Sequence, residues 1–141
     1  MIKIIQPYTN EYDRLVEVRV KSLLEPIGIP ASYILPEKEK DDIFIAALIN
    51  DDIIGCCVLT RVDDTTVQLR QMAVIEAYRG QKIGKAIIKF AEKTAKENGY
   101  SKLMMHARDP VIEFYKKSGY EIAGEQFFEV GMGHHRMEKR L

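Results

Sequence analysis

The sequence contains no tryptophan, has no net charge and lacks long apolar runs. Lysine and arginine together number 21, as do aspartate and glutamate. A chain without a charge excess has no overall electrostatic attraction for nucleic acid or for an anionic membrane. No stretch of about 18 apolar residues is present, which excludes an ordinary membrane-spanning helix. We therefore expect no nucleic-acid partner and no membrane partner, and any charge-dependent function has to be local.

Cysteine is scarce, since Cys56 and Cys57 are the only two. Neighbouring residues on a strand point to opposite faces, so these thiols make a poor disulfide pair. No basic residue flanks them to favour a reactive thiolate. We expect both to be small buried side chains without chemistry.

The length of the chain leaves little room for more than one folded unit. Its 141 residues, of which 46% are hydrophobic, suit one domain spanning residues 1–141 with a sizeable core. No internal repeat, low-complexity tract or linker interrupts it. Met1 leads directly into the strand-like Ile2–Ile5 without a cleavable apolar leader, and we expect a cytoplasmic protein.

Hydrophobic periodicity predicts an alternation of strands and helices. One helix begins at a cap on Thr9 or Asn10 and stops before Pro26, and a loop with one short helix follows over 28–42. A second helix spans Ile83–Asn98. A third, short helix has Asp109 as its N-cap, Pro110 in its first position and Gly119 just past its end. The predicted strands are Ile2–Ile5, Ile43–Ile49, Ile53–Arg61, Thr65–Val74, Lys102–Ala107, Tyr120–Ala123 and His134–Lys139.

The beginning of the Ile83–Asn98 helix is unusually basic. Residues 79–89, RGQKIGKAIIK, contain no acidic residue. The basic residues are Arg79, Lys82, Lys85 and Lys89. A helix start carries partial positive charge and unpaired N–H groups, so cations gathered there are disfavoured unless an anion joins them. Gly80 and Gly84 lack Cβ atoms and let the backbone approach that anion. The pattern predicts a pyrophosphate site, and the alternative is a solvated basic helix face.

Two other phosphate-binding patterns fit this segment poorly. Gly80 and Gly84 are one residue too close for a P-loop, and Ala86 stands where a magnesium-binding hydroxyl is required. The dinucleotide pattern G-x-G-x-x-G is absent, and the preceding strands form an antiparallel meander rather than a βαβ unit. Both patterns are therefore disfavoured, and we do not expect the protein to bind NAD.

Two segments, QLRQMAVIEAYRGQKIGKAIIKFAEKTAKENGY and DPVIEFYKKSGYEIAGE, resemble the GNAT superfamily of N-acetyltransferases in order and spacing. The resemblance covers Gln68 to Gly124, and the upstream order of elements also suits that fold. One departure is Lys82, which stands where the family loop usually has its first glycine, while Arg79 and Gly84 match. A positive φ at a lysine costs on the order of 1 kcal/mol.

The resemblance implies a mixed α/β (α+β) fold. Its sheet is mostly antiparallel, is flanked by helices on both faces and is splayed between the fourth and fifth strands, where coenzyme A enters. The implied activity is transfer of the acetyl group of acetyl-CoA to a primary amine, by direct attack in a ternary complex and without a metal. The backbone of Met72, Ala73 and Val74 would pair with the pantetheine arm, and an N–H near Met72 or Ala73 would stabilise the oxyanion. The pyrophosphate would bind the loop formed by Arg79, Gly80, Gln81, Lys82, Ile83, Gly84 and Lys85.

The resemblance also implies a catalytic residue. Tyr115 stands where many family members carry a tyrosine that protonates the departing thiolate. Its i, i+4 position relative to Val111 also fits plain core packing. An ammonium acceptor must lose a proton, and Glu129 and His134 are weak candidates for the base, because imidazole titrates near neutral pH. His106 lacks neighbours spaced to complete a metal shell, and we expect no metal site.

Two alternatives to an enzyme stay open. The same fold could bind acetyl-CoA or CoA as a sensor or interaction module, and a nucleotide-binding interaction domain is the second rival. The acceptor, a small-molecule or protein amine, is not identified by the acceptor-side segments 25–42 and 125–133. An exposed strand edge near the C-terminus would permit a homodimer.

Overall fold

The computed structural model describes all residues, Met1–Leu141, and its central element is an eight-stranded sheet. The strands are β1 (Ile2–Ile5), β2 (Ile43–Ile49), β3 (Asp52–Arg61), β4 (Thr66–Val74), β5 (Lys102–Arg108), β6 (Glu121–Ile122), β7 (Phe127–Glu129) and β8 (Met132–Arg140). Their order across the sheet is β1-β2-β3-β4-β5-β8-β6, and β7 also pairs with β8. Every pairing is antiparallel except β4 with β5.

Four α-helices and several short turns of other helix types complete the structure. The helices are α1 (Asn10–Arg19), α2 (Pro36–Glu39), α3 (Ile83–Glu97) and α4 (Ile112–Lys117). Helix α1 continues through a π-helical turn, Val20–Leu24, and a 3-10 turn, Glu25–Ile27. Further 3-10 turns are Ala31–Tyr33, Glu76–Tyr78 and Asp109–Val111. The α1 start follows the prediction, because Thr9 Oγ1 accepts the Tyr12 backbone N–H at 3.1 Å. No helix has both the length and the apolar character needed to cross a membrane.

The two faces of the sheet are covered by different helices. Alternate residues of β2 and β3 point to opposite faces. One face packs α3 and Tyr115 of α4 against residues such as Ile45 and Cys57. The other face packs α1 against residues such as Phe44 and Cys56. Both cysteines are fully buried, as expected, and burial raises the pKa of Cys56 to about 12.

The sheet opens between β4 and β5. Their parallel pairing begins at Thr66 with Lys102 and ends at Leu69 with Met105. Beyond this point β4 continues to Val74 alongside β3, and β5 continues to Arg108 alongside β8. The predicted mixed sheet, splayed between the fourth and fifth strands, is confirmed.

A bulge in β4 lies at the beginning of this opening. Val58 pairs with Arg70 and Cys56 pairs with Ala73, so two β4 residues oppose a single β3 residue. Gln71, the first of the two, has a φ of 55°. A bulge bends its strand and increases the local twist. It therefore redirects the last residues of β4 at the place where β5 diverges.

The main differences from the sequence prediction lie after β5. The prediction that Asp109 caps the following helix is wrong, because α4 starts at Ile112 behind Val111 and has no side-chain cap. Asp109 begins the 3-10 turn instead, and its carboxylate faces partners from distant segments. His135 Nδ1 lies 2.8 Å from Asp109 Oδ1, and Gln126 Nε2 donates to Oδ2 at 2.6 Å. These contacts replace capping. Strand β7 was not predicted, and strand ends elsewhere differ by one or two residues.

Candidate functional site

A cleft of about 980 Å³ is associated with the splay between β4 and β5. This volume lies at the upper end of the range for small-molecule sites. Residues of β4, the start of α3, β5 and α4 line the cleft. The segment 22–33 and the turn between β7 and β8 also contribute to its walls.

The charges that line the cleft are almost all positive. Glu129 is its one acidic residue. The basic residues are Arg70, Arg79, Lys82, Lys85, Arg108 and Lys117. Cations gathered in a concave surface raise the local concentration of anions. Although the chain as a whole has no net charge, the cleft has a local excess of positive charge that suits an anionic ligand.

The structure brings together almost all residues that the sequence predicts for the site. The exception is Gln81, which is exposed and does not line the cleft. The predicted residues that do line it are Met72, Ala73, Val74, Arg79, Gly80, Lys82, Ile83, Gly84, Lys85 and Tyr115. Their arrangement places the last part of β4 and the loop before α3 on one continuous wall.

The loop of residues 79–85, named the phosphate loop below, leaves the beginning of α3 open. Lys82 occupies the N-cap position with a φ of 63°, and no side chain caps the helix. Gly80 also has a left-handed conformation, with a φ of 82°. The partial positive charge of the first turn is therefore not offset by a side-chain acceptor. Arg79 Nε donates to the Val74 carbonyl at 3.0 Å, which links the loop to the end of β4.

Gly84 makes room for an aromatic ring. A Cβ on Gly84 would lie 3.1 Å from Phe114 Cζ. The Phe114 ring meets the Tyr115 ring edge to face, with centroids 5.2 Å apart. The missing Cβ thus serves the approach of α4 to α3, in addition to the backbone approach that the sequence suggests.

Tyr115 and Tyr120 both come from the segment after β5 but differ in their partners. Tyr120 donates its hydroxyl to Glu92 Oε2 at 2.8 Å, and Lys139 also binds this carboxylate. Tyr115 is 6% exposed, and its hydroxyl has no partner in the protein. Every fully buried side-chain oxygen of the protein has a hydrogen-bond partner. The Tyr115 hydroxyl has none, so it is accessible to solvent, and Tyr115 lines the cleft.

The surroundings of Tyr115 keep its hydroxyl protonated. Burial raises its pKa well above the ordinary value, the nearby Cys57 adds to the increase, and the positive charge of Arg108 opposes it. The group is therefore a proton donor at neutral pH.

A histidine and a carboxylate meet on another part of the wall. His106 Nδ1 lies 2.7 Å from Glu129 Oε2. His106 directly follows Met105, the last β5 residue paired with β4, so the pair stands where the strands part. His106 was considered in the sequence only as a metal ligand, and its place near the end of the predicted strand Lys102–Ala107 gave no signal of a pairing with Glu129.

His134 lies close to this pair and also lines the cleft. The Phe127 ring lies between the two imidazoles, with centroids 5.0 Å from His106 and 5.7 Å from His134. His134 Nδ1 lies 2.8 Å from the Met132 carbonyl. Since a carbonyl only accepts, Nδ1 carries a proton, and in the neutral ring Nε2 keeps a lone pair. No three histidine, cysteine, aspartate or glutamate side chains cluster closely enough to hold a metal ion.

Comparison with known proteins identifies the family. The model of the Acetyltransferase (GNAT) family matches residues 12–120. YjcF of Bacillus subtilis, an uncharacterized N-acetyltransferase, is 28% identical over 86% of this chain and 87% of its own length. The chain belongs to the GNAT acetyltransferase family. The predicted family is thereby confirmed, and with it the assignment to the acetyltransferases. The match to another relative, the uncharacterized protein YyaT of B. subtilis, spans 55% of that protein's length at 31% identity.

Solved structures share the fold over nearly the whole chain. A GNAT family acetyltransferase from Elizabethkingia anophelis with acetyl-CoA bound has a TM-score of 0.75 and 22% identity, covering 100% of this chain and 97% of that one. An aminoglycoside 6'-N-acetyltransferase complexed with coenzyme A has a TM-score of 0.82 and 17% identity, covering 99% and 96%. At these identities the similarity shows the fold alone.

Proposed function

We propose that this protein transfers the acetyl group of acetyl-CoA to a primary amine by direct attack in a ternary complex. The observation that carries the proposal is the cleft at the splay, whose lining includes six basic residues, one acidic residue and the uncapped start of α3. An acetyl-CoA molecule carries phosphates for those cations and an activated thioester for the amine. The neighbours that hold coenzyme A or acetyl-CoA share this fold.

The proposed cofactor-binding residues lie on one wall of the cleft. The phosphate loop would hold the pyrophosphate with the first N–H groups of α3 and the side chains of Arg79, Lys82 and Lys85. The backbone of Met72, Ala73 and Val74 would pair with the pantetheine arm. Support comes from the β4–β5 pairing, which stops at Leu69 and leaves this part of β4 without a neighbour on the β5 side.

Tyr115 is the proposed proton donor. Its hydroxyl is protonated, has no competing partner and opens into the cleft. Collapse of the tetrahedral intermediate releases a thiolate, and a positioned acid that protonates it lowers the barrier. Because the amine attacks the thioester directly, the acetyl group is never attached covalently to the protein.

A turnover assay distinguishes this function from an acetyl-CoA sensor. We expect free CoA thiol to appear when the protein is mixed with acetyl-CoA and a panel of primary amines, together with acetylated amine detected by mass spectrometry. Binding of acetyl-CoA without release of thiol for any amine would support the sensor instead. A larger thermal shift with ATP than with CoA would favour the nucleotide-binding alternative.

Replacing Lys82 with glycine separates the two roles of this residue in the phosphate loop. The left-handed φ of 63° at Lys82 is strained for lysine, and glycine relieves the strain, so we expect stability to rise by up to about 1 kcal/mol. We also expect the Kd for CoA to rise several-fold because one cation is lost. Chemical denaturation and calorimetry measure the two effects. A lower Kd for CoA in the variant would contradict a contact between the lysine side chain and a phosphate.

Three further features stay predictions: one domain over 1–141, a cytoplasmic location and a homodimer. The homodimer would use the edge formed by β6 and β7, where Phe128 is 72% exposed. Exposed strand edges pair readily with a second chain.

A further inference from the structure

Part of the cleft wall is apolar and carries almost no negative charge. The segment 22–33 contributes apolar side chains, and Val130 adds another from the turn between β7 and β8. The apolar residues of the 22–33 segment are Leu23, Leu24, Ile27, Ile29 and Tyr33. Such a surface favours a substrate with an apolar body.

The acidic residues near this wall are already engaged or point elsewhere. Glu39 is buried in a bidentate pair with Arg19, at 3.0 and 2.6 Å. Asp42 is 9% exposed and lies 3.9 Å from Arg70. Glu25, Glu37 and Asp41 do not line the cleft. Glu129 is therefore the single carboxylate available to a positively charged substrate.

The geometry points to a substrate class, and the inference rests on the acetyltransferase function proposed above. We infer that the acceptor is a monoamine on an apolar body, whose ammonium group binds Glu129 and gives its proton to His106 through one water molecule. Glu129 Oε2 faces His106 Nδ1 at 2.7 Å, which leaves Oε1 for the ammonium. With Nδ1 donating to the carboxylate, Nε2 on the other side of the ring carries the lone pair that accepts the proton, and the water molecule connects the ammonium at Oε1 with Nε2.

The reaction balances without another reactant. The ammonium loses one proton to His106, and the neutral nitrogen then attacks the thioester carbonyl carbon. Collapse breaks the carbon–sulfur bond, and the thiolate takes a proton from Tyr115. The nitrogen releases its second proton, which restores the tyrosine, and His106 returns its proton to solvent. The products are the acetamide, CoA thiol and one proton.

The same charges argue against polycationic acceptors such as aminoglycosides or polyamines. Several ammonium groups would meet one carboxylate, together with Arg70, Arg108 and Lys117, the basic residues of the cleft that are not assigned to the pyrophosphate. Like charges placed together in a partly desolvated site oppose binding. Selection between amines is therefore electrostatic as well as steric.

Initial rates with three amines test the substrate class. At saturating acetyl-CoA we expect kcat/KM for phenylethylamine to exceed that for spermine and for kanamycin at least tenfold. Equal or faster acetylation of either polycation would overturn the inference. The inference would also be overturned if none of the three amines were acetylated although calorimetry detected binding of acetyl-CoA. Failure to bind acetyl-CoA at all would instead contradict the proposed function itself.

Two variants test the roles of the pair. Glu129→Gln should raise KM for phenylethylamine about two- to fivefold, the size expected for an exposed ion pair, without changing the Kd for acetyl-CoA. Glu125→Gln is the matched control, because Glu125 is exposed and does not line the cleft. An equal effect of both variants would contradict the role of Glu129.

His106→Gln should lower kcat for phenylethylamine about 100-fold, the lower end of the usual contribution of a general base. Trifluoroethylamine is largely uncharged at neutral pH and needs no base, so its rate should change less than threefold. Equal losses for the two amines would show that His106 has only a structural role, and no loss for either would exclude it as the base.

Discussion

Replacing Tyr115 with phenylalanine is expected to lower kcat about 100- to 1000-fold, the lower part of the range typical of a lost general acid. The substitution removes only a hydroxyl that no protein group binds, so the melting temperature and the Kd for acetyl-CoA should change little. Steady-state kinetics, thermal unfolding and calorimetry on the same preparation separate these effects. The ring packing against Phe114 is retained, with the centroid distance of 5.2 Å available to phenylalanine as well.

Tyr120→Phe is the matched control for this prediction. Its hydroxyl donates to Glu92 inside the protein, so its loss should cost about 1 kcal/mol of stability and leave kcat nearly unchanged. If Tyr115→Phe keeps the wild-type kcat with saturating amine, the tyrosine is a packing residue and the proposed proton donor is wrong.

Replacing Arg19 with methionine is expected to lower the free energy of unfolding by about 3–5 kcal/mol, the cost of leaving a buried charge without its partner. Arg19 is 1% exposed and Glu39 is 6% exposed. Tyr12 also donates its hydroxyl to Glu39 Oε1 at 3.0 Å, and Arg19 Nε donates to Gln71 Oε1 at 3.3 Å. The network thus joins α1, α2 and the β4 bulge beside the cleft.

Urea denaturation of Arg19→Met, Glu39→Gln and the double variant measures this network. The double variant should be more stable than Arg19→Met, because it leaves no uncompensated charge. A loss below about 1 kcal/mol for Arg19→Met would contradict the account, since that is the range of exposed pairs.

The same pair gives stability a pH dependence. Burial alone would raise the pKa of Glu39, but the hydrogen bond and charge of Arg19 outweigh burial and hold the pKa below the ordinary 4.5. The folded state therefore binds fewer protons than the unfolded state between the two pKa values. This contribution is fully present above pH 4.5 and is lost as the pH falls through the folded pKa.

The fold could be predicted wherever local pattern decides it. The α3 helix and strands β1 to β5 have apolar spacing that only one kind of element satisfies, and their ends were correct to within one or two residues. The splay itself came from the resemblance, because no local pattern reports where β4 and β5 stop pairing. Strand β7 has only three residues, too few for a periodicity to be detectable.

The parts of the fold and of the site that were missed depend on contacts between distant residues. Asp109 has the right type and place for a helix cap, but His135, 26 residues later, and Gln126, 17 residues later, bind its carboxylate. His106 and Glu129 are separated by 23 residues. Arg19 and Glu39 resemble ordinary surface charges in the sequence, and they become a buried hydrogen-bonded pair only when α1 and α2 come together in the folded chain. Phosphate-loop residues were predicted because they are consecutive.

Calorimetric titration with CoA and with pantetheine, which has the same thiol arm but lacks the phosphates and the adenosine, tests the central claim most directly when it is repeated on Arg79→Gln. If the phosphate loop holds the phosphates through its cations and the uncapped start of α3, CoA binds at least 100-fold more tightly than pantetheine, and Arg79→Gln narrows the difference. Equal affinities for the two compounds, or no heat with saturating CoA, would contradict the account.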